Sequence, residues 1–256
     1  MPQGCGVEKD FLLISYRFQF PDGSRREFDL RLERPTLSLA VEARAELPKW
    51  AELENEQCPN CPLSSDSHRY CPVAANLVPV VEAFSEVTSY DESDVEVEVA
   101  TRTYSARVKN TQAVGSLIGI YMATSGCPIL DKLRPMVLTH TPFASNEETI
   151  YRSISMYLMA QYFLQQHGKE ADWDLARLGN FFEELNVINQ AFVRRLTTHV
   201  AHDASLNALV LLNCFASAAK RVLTKEGFGE VEDMFGAYFP DTLDGCAGKA
   251  GRGVLG

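Results

Sequence analysis

Apolar residues change their spacing near Asn110, and that change constrains the fold more than any other feature of the chain. Before it they recur at every second position, as in strands with one wet face. Phe11 to Phe20 is rich in β-formers, and Pro21-Asp-Gly-Ser24 supplies a turn in which Gly23 is free to take a positive φ. Phe28, Leu30 and Leu32 then alternate with Asp29, Arg31 and Glu33. Pro35 marks an edge or exit, and Leu37, Leu39 and Val41 resume the alternation. Pro48 suits the first turn of a short helix through Trp50 and Leu53. A helix is predicted over Val73 to Val87. Val95, Val97 and Val99 alternate with Glu96 and Glu98 in a strand that continues toward Val108.

Beyond Asn110 the period is helical. Val114, Leu117, Ile118, Tyr121 and Met122 share a stripe, and Gly126 suits its end. Ser145 and Glu148 form a capping box for a helix from about Asn146 to His167, closed by Gly168. A third helix runs from about Trp173 to His199 on Leu175, Leu178, Phe182, Leu185, Phe192 and Leu196. Asp203 caps a fourth, whose last turns carry Lys220, Arg221 and Lys225, complementing the helix dipole. The expected fold is therefore α+β. An antiparallel β-rich part (1–109) packs on a bundle of about four helices (110–244), and the glycine-rich stretch 245–256 forms a mobile tail.

The net charge of −10 disfavours a phosphate backbone as partner. The basic pairs Arg25-Arg26 and Arg194-Arg195 are read as solvated polar faces. No run approaches eighteen apolar residues, which argues against a membrane span. The start of the chain has neither basic nor apolar signal regions, so a cytoplasmic setting is expected. Seven cysteines in such a chain do not suggest a disulfide framework.

Three of those cysteines fall in one short, turn-rich segment. Cys58-x2-Cys61 and His68-x2-Cys71 form two ligand pairs separated by small and polar residues. Thiolate and imidazole are preferred zinc ligands, and four of them close a structural Zn2+ site. An iron–sulfur cluster competes with zinc. Cys58, Cys61, Cys71 and the remote Cys127 are each followed by proline, and together they offer the all-thiolate set that a [4Fe-4S] cluster prefers. His68 is then a bystander.

Other chemistry is less directly marked. His199, His202 and Asp203 fit either a metal pair or a capped helix end. Glu183, Asn186 and Asn189, with Asn207 and Asn213, form polar lines that would line a pocket if the two helices faced each other. Cys127, His140 and Glu148 form a catalytic set only if they meet in one pocket, because a thiolate nucleophile needs a neighbouring base.

The stretches Cys58-Pro-Asn-Cys-Pro-Leu63, Arg69-Tyr-Cys-Pro-Val-Ala-Ala-Asn-Leu77, Thr101-Arg-Thr-Tyr-Ser-Ala-Arg-Val-Lys109 and Thr124-Ser-Gly-Cys-Pro128 resemble those of an uncharacterised bacterial family, a domain of unknown function. The resemblance implies a bacterial, cytoplasmic setting and brings no activity with it. Three functional readings follow. The first is a zinc-stabilised binding or regulatory module that uses its helices to meet a protein partner or a second copy. The second is an iron–sulfur redox or sensor protein, and the third an enzyme with a pocket between helices and strands.

Overall fold

The structure, a computed structural model, describes residues 10–41, 46–197, 207, 212, 232 and 234–239. The fourth helix, the His199/His202/Asp203 group, Asn213 and the stretch 245–256 lie outside the described residues.

Five strands form one antiparallel sheet: β1 (Phe11–Gln19), β2 (Arg25–Glu33), β3 (Ser38–Leu39), β4 (Glu92–Val99) and β5 (Arg102–Lys109). Their order across the sheet is β3-β2-β1-β4-β5. Gly23, at φ +86°, turns β1 into β2, and its N–H donates to the Phe20 carbonyl. Every second residue faces inward. Leu12, Ile14, Tyr16 and Phe18 of β1, Leu30 and Leu32 of β2, and Val95 and Val97 of β4 are buried. The opposite face is wet and charged, with Arg17 bridging to Glu96 and Glu98 of β4.

The alternation from Val95 does not run straight on to Val108. The chain reverses at Ala100, which sits at φ 53°, and β5 returns antiparallel with Arg102 opposite Val99. Alternation survives such a reversal unchanged, so spacing alone does not reveal the hairpin.

The helices are α1 (Pro72–Ala83), α2 (Asn110–Ala123), α3 (Pro135–Leu138), α4 (Asn146–Gln166) and α5 (Ala176–Thr197). β5 runs directly into α2, whose first residue, Asn110, is held by Ser93 Oγ and donates to the Thr88 carbonyl. α2 is the central helix, with Val114, Leu117 and Ile118 fully buried. The capping box of α4 is complete: Glu148 N–H donates to Ser145 Oγ, and Ser145 N–H donates to the Glu148 carboxylate. Gly168 follows α4 at φ +67°. Spacing marks no element between Gly126 and Ser145, yet a 3-10 turn (Leu130–Leu133) and the one-turn α3 stand there. Strand and helix residues enter one apolar core. α4 leaves Tyr151, Met159, Tyr162 and Phe163 exposed.

Candidate thiol site

Two chain segments bring four cysteines near one another beside α5. The first is a loop whose base is a short antiparallel pairing. Leu53 N–H donates to the Arg69 carbonyl, and Cys71 N–H donates to the Ala51 carbonyl. At the tip of the loop Cys61 N–H donates to the Cys58 carbonyl at 2.9 Å, so the CxxC pair sits on a tight turn. Cys71 closes the loop as the N-cap of α1, with Pro72 in the first helical position. Proline tolerates that position because its missing N–H would have no helical partner there. The N–H groups of Val73 and Ala74 favour thiolate at Cys71, without a side-chain capping hydrogen bond.

The second segment repeats this device. After α2, Gly126 takes φ +87°, and Cys127-Pro128 leads into the 3-10 turn. The N–H groups of Ile129 and Leu130 favour thiolate at Cys127. Both segments dock on the same turn of α5. Asn60 Nδ2 donates to the Glu184 carbonyl at 3.2 Å, and Lys132 Nζ pairs with the Glu184 carboxylate at 3.3 Å.

All four sulfurs are free thiols, and Cys71 is buried while the others are half-buried. Burial pushes the Cys58 thiol up to about 12; Cys71, Cys61 and Cys127 lie close enough to add to that rise. The Arg195 guanidinium works against it. Burial likewise raises Cys71 and Cys127, offset in each by these N–H groups. These donors favour thiolate, as does the nearby cation.

Arg195 corrects the solvated-pair reading of Arg194-Arg195. It is 1% exposed. Its Nη1 donates to the carbonyls of Trp50 at 2.6 Å and Glu52 at 2.7 Å, and Nη2 reaches Leu53 at 3.4 Å. Arg194 does face outward, pairing with Glu56. The physical reason is helical phase: Arg195 follows Phe192 by three residues and adjoins Leu196, both on the inward stripe of α5. That spacing was available in the sequence as a signal.

His68 stands elsewhere. Its side chain is exposed, and Nδ1 lies 2.9 Å from Ser67 Oγ. Among the described residues, no three His, Cys, Asp or Glu side chains are arranged to hold a metal ion.

Cys127, His140 and Glu148 are not brought together on one pocket. Cys127 belongs with the other thiols, and exposed Glu148 is engaged in capping α4. His140 alone of the three lines a cavity of about 770 Å³, together with Asn189 and Asn207 of the polar lines. His140 Nε2 lies 2.6 Å from Tyr16 Oη, which also contacts Ser116 Oγ at 2.8 Å. Tyr16 and Ser116 sit within a strand and a helix stripe, so only the fold reveals this chain.

Burial, aided by the charge of Arg152, pushes the His140 imidazole down to about 3. A group whose folded pKa lies below its unfolded value near 6.5 contributes stability above that value. The contribution is lost as pH falls from about 6.5 toward 3. At pH 5 the loss is about 2 kcal/mol. Urea unfolding at pH 7 and pH 5 is expected to show it in the wild type and not in His140→Gln, which keeps a hydrogen-bonding side chain beside Tyr16. Equal pH dependence in the two proteins would remove His140 as the source.

Among the described residues no helix is long and apolar enough to cross a membrane. No curated protein and no solved structure matches the chain. The family model for a domain of unknown function, DUF6901, matches residues 14–236. That span runs from β1 through both cysteine segments and past α5, and on it the chain belongs to the DUF6901 family.

Proposed function

We propose that the chain is an iron–sulfur redox or sensor protein in which Cys58, Cys61, Cys71 and Cys127 ligate one [4Fe-4S] cluster. The observation that carries this reading is that Cys61, Cys71 and Cys127, from two separate segments, lie close enough to Cys58 to raise its pKa, while His68 is exposed and contacts Ser67 Oγ. The local chemistry agrees. Backbone N–H groups near ligating sulfur are a means of tuning cluster potential, and those of Val73 and Ala74 favour thiolate at Cys71 as those of Ile129 and Leu130 do at Cys127. A thiolate-ligated cluster is anionic, and buried Arg195 offsets part of that charge. Zinc at about 2.3 Å from each sulfur draws its ligands to within about 4 Å of one another. A cluster of iron and sulfide suits thiolates set further apart. When bound it would supply one-electron chemistry.

Anaerobic purification followed by iron, sulfide and zinc analysis tests the reading. The expected product is brown, with iron and acid-labile sulfide that Cys127→Ser loses and His68→Ala keeps. A colourless protein with one zinc per chain, lost in His68→Ala and kept in Cys127→Ser, would instead establish the structural zinc module on Cys58, Cys61, His68 and Cys71.

A further inference from the structure

The His140 cavity is an open cleft lined in part by α2, α3, α4 and α5, and its volume of about 770 Å³ suits a small organic molecule. Much of its wall is apolar, with Ile120, Met122, Leu130, Leu133, Met136 and Leu185. The charge on its wall is one-sided. Arg152 and Lys109 line it, and no carboxylate does among the described residues, in a chain of net charge −10. Lys109 stands at the end of β5, where its register partner Glu92 is paired with Arg107 at 3.4 Å; the other cation is Arg152, half-buried on α4. Its closest acidic neighbour, Glu148, is held by the capping box. Arg152 donates one hydrogen bond to the Met136 carbonyl at 2.8 Å, while its buried Nε has no hydrogen-bond partner among the described residues.

We propose that this cavity binds an aliphatic monocarboxylate, with Arg152 pairing the carboxylate and the leucine and methionine wall taking the hydrocarbon. A guanidinium presents paired donors that match a carboxylate. His140, which lines the cavity near Arg152, is held neutral by burial, so the positive charge on the wall comes from Arg152 and from Lys109 at the end of β5. The hydrogen bond of His140 to Tyr16 fixes the ring beside Arg152. This inference stands apart from the thiol site and survives whichever metal that site holds.

Calorimetric titration of the full chain with octanoate, octanol and octyl phosphate tests it. Octanoate is expected to bind most tightly. Arg152→Met should weaken octanoate about tenfold or more, the loss of one charge-assisted pair, and leave octanol unchanged. Gly119 provides a control that does not depend on Arg152. It lines the cavity, and a Cβ added there meets nothing within 4 Å. Gly119→Leu should fold with undiminished thermal stability, since leucine favours a helix over glycine, yet lose octanoate binding by filling the space. Octanol binding as tightly as octanoate, octyl phosphate binding more tightly, no binding of any octyl probe, or unchanged binding in folded Gly119→Leu would each overturn the proposal.

Discussion

Arg195→Met is expected to destabilise the protein by about 2–4 kcal/mol and, for the cluster proposed above, to lower the iron content. Methionine reproduces much of the length and packing of arginine, so the change isolates the guanidinium. Two short hydrogen bonds, to the carbonyls of Trp50 and Glu52, disappear and leave buried acceptors behind. Those carbonyls belong to the strand-like segment that pairs with residues 69–71 and so positions Cys71. Removing a buried cation regains some desolvation energy, which is why the expected loss is less than three full hydrogen bonds. The thiols lose in a second way. The cation that favours thiolate at Cys58 and Cys71 is gone, so ligand deprotonation costs more. Arg195→Lys should fall between the two proteins, because it keeps the charge without the planar fork. Urea unfolding and metal analysis of the three proteins check this. Wild-type stability together with wild-type metal content in Arg195→Met would end the assigned role.

Phe84→Ala should cost about 3–5 kcal/mol, the range for removing a fully buried aromatic ring from a core. Phe84 is 0% exposed and follows the last turn of α1. Its ring meets Phe18 edge-on at 4.9 Å, stacks on Phe28 at 5.6 Å and lies 6.4 Å from Phe20. These contacts fasten α1 to β1 and β2, and neither strand can move to fill the space without breaking its ladder. Because α1 begins at Cys71, the change should also loosen the thiol site, though less than Arg195→Met. Chemical denaturation and near-ultraviolet circular dichroism would measure it. A loss below about 1 kcal/mol would mean that the aromatic cluster does not anchor the helix.

Local rules predicted the elements well. Leu12 to Phe18, Phe28 to Leu32 and Val95 to Val99 alternate in sequence and in burial alike, because a strand sends successive side chains to opposite faces. The Ser145 capping box and Gly168 bound α4 closely, since both act within one turn of chain. The one-turn α3 escaped notice because four residues are too few to establish a helical period.

The candidate sites divide in the same way. The proline after each of Cys58, Cys61, Cys71 and Cys127 is a sequence feature, and for Cys71 its structural reason is local, a residue that opens a helix. The pairing of Cys58 with Cys61 is local too, set by one turn. Whether His68 or Cys127 joins them is not a local matter. Both follow the chemistry of metal ligands equally well, and the approach of Cys127 to the other thiols comes from the docking of two loops on the Glu184 turn of α5. The inward turn of Arg195 and the Tyr16–His140–Ser116 contacts are likewise long-range. Element identity comes from interactions a few residues apart, which the order of amino acids records directly. The approach of Cys127 to the other thiols, the buried cation and the cavity come from side chains far apart in the chain, and these meet only once the shared core has folded.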